Sequence, residues 1–69
     1  MEEKHPLAAW RETEGVQQIV LANDLGVKRW TIFAIETRLR KPSPELAKKI
    51  AERTGIARHA LRPDLWDAA

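Results

Sequence analysis

The sequence predicts an all-α domain of four to five short helices, and three observations carry that expectation. Apolar residues recur at three- and four-residue spacings in successive segments, as they do along one face of a helix. Gly15, Gly26 and Gly55 each follow such a segment, where a left-handed residue ends a helix readily. Pro6 and Pro44 stand where a helix can open, because a first-turn proline lacks only a donor that would have had no partner. With 69 residues, the chain is expected to form a single domain over 1–69. A domain of that size buries roughly 60% of the surface its unfolded chain exposes.

The elements follow in order. Met1 to Lys4 are expected to fray. Pro6, Leu7 and Trp10 predict a first helix over 6–14 that ends at Gly15, with Trp10 in the core. Val16 packs at the corner, and the second helix runs from Gln18 to Asp24 with Leu21 and Leu25 inward and Ala22 leaving room for a crossing helix. Gln17 is a weak cap compared with Ser or Thr. Gly26 suits a left-handed turn, Val27 plugs the junction, and Ile32 and Ile35 hold a third helix over 28–37. That third helix is apolar on two faces, since Trp30, Phe33, Ala34 and Thr37 fall at i, i+3, i+4 and i+7 on the side away from the isoleucines. Leu39 reads as a core anchor. Ser43 and Pro44 open a fourth helix, whose inner stripe is Leu46, Ala47, Ile50 and Ala51 and which stops near Thr54. Ile56, Ala60 and Leu61 give a last turn over 57–61, ended by Pro63, and residues 63–69 form a tail carrying Leu65 and Trp66.

Residues 18–37 are thus two short helices joined by a glycine turn, a helix-turn-helix. Leu21, Ala22, Leu25, Gly26, Val27, Ile32 and Ile35 resemble that unit in the Cro and phage-repressor (Xre-type) family. Gln17-Gln18 stand where family members carry Thr-Gln, and Lys41 to Leu46 resemble the usual link into the fourth helix. Thr54-Gly55-Ile56 and Leu61 to Trp66 are similar to the ends of small Cro-like and YdaS-type regulators. The resemblance implies a lambda-repressor-like domain that binds double-stranded DNA sequence-specifically. It further implies a Cro-like phage or prophage repressor acting at a palindromic operator, in the cytoplasm of a bacterial or phage-infected cell. The chain departs from that family at Trp30 and Phe33, where small polar residues are common, at Lys28, where Ser or Thr caps the helix, and at Arg38, where many members have glycine.

Charge points the same way independently. Residues 1–27 hold two basic against five acidic residues, a balance of −3, whereas residues 28–62 hold ten against three, a balance of +7. Clustered Lys and Arg release counterions on binding phosphates, so the basic block predicts a polyanion partner. No cysteine is present, so neither disulfides nor thiolate metal sites can form. His5 and His59 are far apart and read as surface residues, no spacing resembles a metal or nucleophile site, and Gly15 and Gly26 do not make a phosphate loop. The chain is expected not to be an enzyme and to need no cofactor, metal, membrane or small-molecule substrate. No apolar run approaches 18 residues, and the amino-terminal MEEKHP does not resemble a signal peptide.

The candidate site is the outward face of the third helix and the loop after it. Lys28, Arg29, Trp30, Phe33, Ala34 and Thr37 are the candidates for base readout. Arginine near the helix start can reach guanine O6 and N7, and the aromatic rings can meet thymine methyls, with Ala34 allowing close approach. Gln17, Gln18, Arg38, Arg40 and Lys41 are the candidates for the DNA backbone. Leu65 and Trp66 either fold back on the domain or join a second subunit, and the expectation is a monomer or weak homodimer that pairs on DNA. A second reading makes Trp30 and Phe33 the docking face of an antitoxin or anti-regulator that binds another protein.

Overall fold

In the computed structural model, which describes residues 4–66, every regular element is helical: α1 (Pro6–Glu14), α2 (Gln18–Leu25), α3 (Arg29–Glu36), α4 (Pro44–Thr54) and α5 (Arg58–Leu61). The expectations for Met1–Glu3 and for the last three residues of the tail lie outside the described residues.

Each helix forms for a local reason. The helix α1 opens on Pro6 and is capped by His5, whose Nδ1 accepts the Leu7 amide at 3.0 Å. His5 is therefore not the surface residue expected; it is 6% exposed, because the capping geometry turns its ring inward. The helix α2 ends at Gly26 in the left-handed region, φ 71°, and the Val27 amide reaches back to the Ala22 carbonyl at 2.9 Å. Together with the Gly26 amide, which donates to the Asn23 carbonyl at 3.2 Å, that satisfies the carbonyls at the end of α2, as the glycine turn predicts. In α4, Ser43 Oγ accepts the Leu46 amide at 3.1 Å, Pro44 fills the first position and Gly55 ends the helix in the left-handed region.

Leu7, Leu21, Ile32, Ile35 and Ile50, one or two from each of the four longer helices, are fully buried at the centre. Each contributes about 1.5–3 kcal/mol relative to exposure. Trp10, Val16, Val27, Leu46, Ala51, Ile56 and Trp66 pack around them. The tail pair separates: Trp66 folds back on the core with Arg58 over its ring at 5.2 Å, whereas Leu65 is 44% exposed.

Two expectations fail between α3 and α4. Leu39 is not a core anchor but is 68% exposed. Arg38 takes φ 64°, which swings the chain outward, and Pro42 is the residue of this segment that is buried. Ala34 does not face outward but is 0% exposed, because the amides of Leu39 and Arg40 both donate to its carbonyl, at 2.9 and 3.2 Å, and draw the loop back over it.

A candidate nucleic-acid interface on α3 and its loop

Ile32 and Ile35 pull one side of α3 into the core and leave Trp30, Phe33 and Thr37 on the other, with Trp30 55% and Phe33 42% exposed. A short amphipathic helix buries one stripe and presents the opposite one. Thr37 Oγ1 donates to the Phe33 carbonyl at 2.8 Å, so its hydroxyl is turned along its own helix. Lys28 and Gln17 occupy the caps of α3 and α2 without a side-chain capping bond, as the weakness of both residue types predicts.

A polar chain runs beneath this face and fixes Arg29. Glu36 lies in the last turn of α3, and its side chain is 6% exposed. Arg11 grips it from α1 with both arms, Nε to Oε2 at 2.8 Å and Nη2 to Oε1 at 3.0 Å. A third arm of Arg11 donates to the Val16 carbonyl at 3.1 Å. The pairing holds the Arg11 guanidinium above its ordinary pKa, chiefly through the hydrogen bond to Glu36. Gln18 Nε2 donates to Glu36 Oε1 at 3.0 Å, which leaves Gln18 Oε1 to accept Arg29 Nη1 at 3.1 Å. Arg29 therefore starts α3 with one arm tied and its remaining donors available. Gln18, a candidate for the DNA backbone, keeps a single uncommitted amide hydrogen.

Composition does not disclose this chain, because Arg11 and Glu36 are 25 residues apart. One signal was present: Glu36 follows Ile32 by four residues and Ile35 by one, on the inward side of α3, where a carboxylate needs a cation.

The loop after α3 collects the predicted backbone contacts. Arg38, Arg40 and Lys41 are all exposed. The Arg40 guanidinium lies over the Trp30 ring, 5.4 Å from its centroid, so loop and helix are joined across the exposed face. Other members of the basic block are engaged elsewhere: Arg53 pairs with Asp24 at 3.0 Å and lies over Trp10, and Arg62 pairs with Asp64 at 2.7 Å. The apolar surface extends past α3, because Ile19 and Val20 on α2 are 45% and 46% exposed. No described helix is long and apolar enough to cross a membrane.

Residues 7–60 match the family model described as helix-turn-helix. No curated protein and no solved structure matches the chain.

Proposed function

Because the chain belongs to the Xre/Cro-like family of DNA-binding helix-turn-helix regulators, we propose that it reads duplex DNA sequence-specifically by laying α3 in the major groove. The observation that carries this reading is an outward face of α3 offering a tethered arginine and two aromatic rings, with three exposed cations on the loop that follows.

Arg29, held by Gln18, reaches guanine O6 and N7, and Trp30 and Phe33 contact thymine methyls. Lys28 and Thr37 border that contact at the two ends of the helix. Arg38, Arg40 and Lys41, with Gln17 and the last amide hydrogen of Gln18, hold the register against phosphates. Two copies bind a palindromic operator whose half-sites lie about 34 Å apart, with Leu65 the candidate tail contact between copies. The biological reading is a Cro-like phage or prophage repressor that occludes polymerase.

Selection from a random duplex pool supplies the site, and salt titration then tests the contacts. Arg40→Ala and Lys41→Ala should each lower the salt slope by about one unit on selected and random duplex alike. Trp30→Ala should lose affinity for the selected site with thermal stability nearly intact, and replacing the contacted thymine by uracil should reproduce the loss. Unchanged slopes in both loop variants would remove the proposed surface. The exposure of Ile19 and Val20 beside α3 favours one alternative, an antitoxin or anti-regulator docking a protein on this face. Normal operator binding by Trp30→Ala, with loss of a protein partner, would select it.

A further inference from the structure

The loop that carries Arg38, Arg40 and Lys41 is tied down near both of its ends. Near the first, the amides of Leu39 and Arg40 donate to the Ala34 carbonyl, at 2.9 and 3.2 Å. At the second, Pro42 is buried and its carbonyl accepts Arg62 Nη1 at 2.7 Å, from 20 residues further along the chain. The carbonyl of a buried residue needs a donor, and Arg62 supplies it.

Arg62 is itself firmly held. Its amide donates to the Arg58 carbonyl at 2.9 Å, and its own carbonyl accepts the amides of Leu65 and Trp66 at 3.0 and 3.2 Å. Trp66 packs against the core with Arg58 over its ring, so the turn that carries Arg62 is anchored where it leaves α5. The other two guanidinium nitrogens, Nε and Nη2, donate to the two oxygens of Asp64 at 3.0 and 2.7 Å. Those hydrogen bonds are the chief reason the Asp64 carboxyl is drawn down to about 2, so the pair stays charged at neutral pH. With an acceptor for each of its three nitrogens and a side chain 16% exposed, Arg62 is a poor phosphate ligand although it belongs to the basic block. Asp64 also lies 3.9 Å from Lys41, but both side chains of that pair are exposed and the contact is weak, so a phosphate displaces it readily.

We propose that Arg62 is a positioning residue for DNA binding: it touches no phosphate, and by holding the Pro42 carbonyl it keeps the loop over 38–42 in an arrangement that sets Arg40 and Lys41 beside the backbone of the duplex. The Ala34 carbonyl fixes one end of that loop and the Arg62–Asp64 pair fixes the other. A loop held at both ends has little freedom left to lose on binding. One released at Pro42 must be ordered by the DNA itself, at a cost in affinity. The anchoring half of the proposal concerns the chain alone, and the affinity half rests on the DNA-binding reading.

Arg62→Met keeps the aliphatic stem and removes the donors. In the full chain without DNA, backbone relaxation should show residues 39–42 as ordered as α4, with order parameters of about 0.85, and Arg62→Met should lower those of the loop toward about 0.6 while leaving α4 unchanged. A loop already mobile in the unaltered protein, or one as ordered in Arg62→Met, would overturn the anchoring; the first of these is read without any variant. Duplex binding is then measured at a temperature where unfolding curves show every chain fully folded. Arg62→Met should weaken selected and random duplex alike by about two- to tenfold, the cost of ordering a released loop side chain. Its salt slope should match that of the unaltered chain, in contrast to the loss of about one unit in Arg40→Ala. A slope lowered by about one unit would make Arg62 a phosphate ligand and overturn the assignment. Arg62→Met with Asp64→Asn restores the net charge and should remain weaker than the unaltered chain. Full recovery of affinity in that double variant would show the loss to be one of charge and overturn the positioning role. A loop loosened by Arg62→Met, with no duplex bound by the unaltered chain, would fail the DNA reading alone.

Discussion

The helices α3 and α4 carry comparable apolar stripes yet are stabilised differently. The helix α4 contains its own start and stop: Ser43 caps it, Pro44 fills the first position, Glu45 lies in the first turn and Gly55 ends it. The helix α3 has no side-chain cap at Lys28, and the chain leaves it through Arg38 in the left-handed region. What holds α3 comes from elsewhere, Arg11 on α1 and Gln18 on α2 through Glu36, together with the burial of Ile32 and Ile35. If the outer face of α3 is the binding face proposed above, few of its positions are left for self-stabilisation, and its neighbours supply the support.

The largest test of this contrast removes the buried pair. Arg11→Ala leaves the Glu36 carboxylate without its cation in a site where the side chain is 6% exposed, and should cost about 3–5 kcal/mol in denaturant unfolding. Arg11→Met with Glu36→Leu should recover most of that loss, because the desolvated charge is gone. On the proposed reading, the double variant should still relax preference at the base assigned to Arg29, since Gln18 no longer has Glu36 to orient its amide. On α4 the matching change, Arg53→Ala, breaks an exposed pair with Asp24 and should cost about 1 kcal/mol or less. Equal losses at the two sites would erase the distinction.

The caps give a smaller and opposite pair of effects. Ser43→Ala should destabilise by about 1 kcal/mol, because the Leu46 amide loses its acceptor. Lys28→Ser should stabilise by about 0.5–1 kcal/mol by supplying the cap that α3 lacks. If Lys28→Ser gains nothing, the start of α3 is held by means other than capping and the comparison narrows to the Arg11–Glu36 pair.

The same contrast explains what could be read from the chain. The helix α4 was legible almost to the residue, because its signals are adjacent in sequence: Ser43-Pro44, the apolar stripe and Gly55. The glycine turn at Gly26 and the inward isoleucines of α3 were legible for the same reason. The Arg11–Glu36–Gln18–Arg29 chain was not, because it joins three helices and no local pattern encodes which cation answers Glu36. Ala34 and Leu39 were misplaced by one physical event. A loop that hydrogen-bonds back to Ala34 covers a position that helical spacing turns outward, and the left-handed Arg38 expels a leucine that composition assigns to the core.

The smallest effect concerns the start of α1, where the support is a titratable cap. Burial lowers the pKa of His5 below its ordinary 6.5, and the nearby Arg38 lowers it further while Glu36 opposes both. The folded chain therefore resists protonation that the unfolded chain accepts. As pH falls below about 6.5 the unfolded state binds the proton first, and stability should decline progressively from that point. Protonation also takes the Nδ1 lone pair that accepts the Leu7 amide, so the cap is lost with the charge change. His5→Asn keeps a side-chain acceptor at the cap and removes the titration. Urea unfolding between about pH 4.5 and 7.5 should show a slope in the unaltered chain that flattens in this variant. Two carboxylates held below their ordinary values act at or below the lower edge of that window: Asp64, drawn down to about 2 mainly by its hydrogen bonds from Arg62, loses its contribution only below about pH 3.8, and Glu12, lowered chiefly by its hydrogen bond from Lys4, only below about pH 4.5. A slope unchanged by His5→Asn would locate the acid sensitivity in another group and leave α1 as independent of pH as α4.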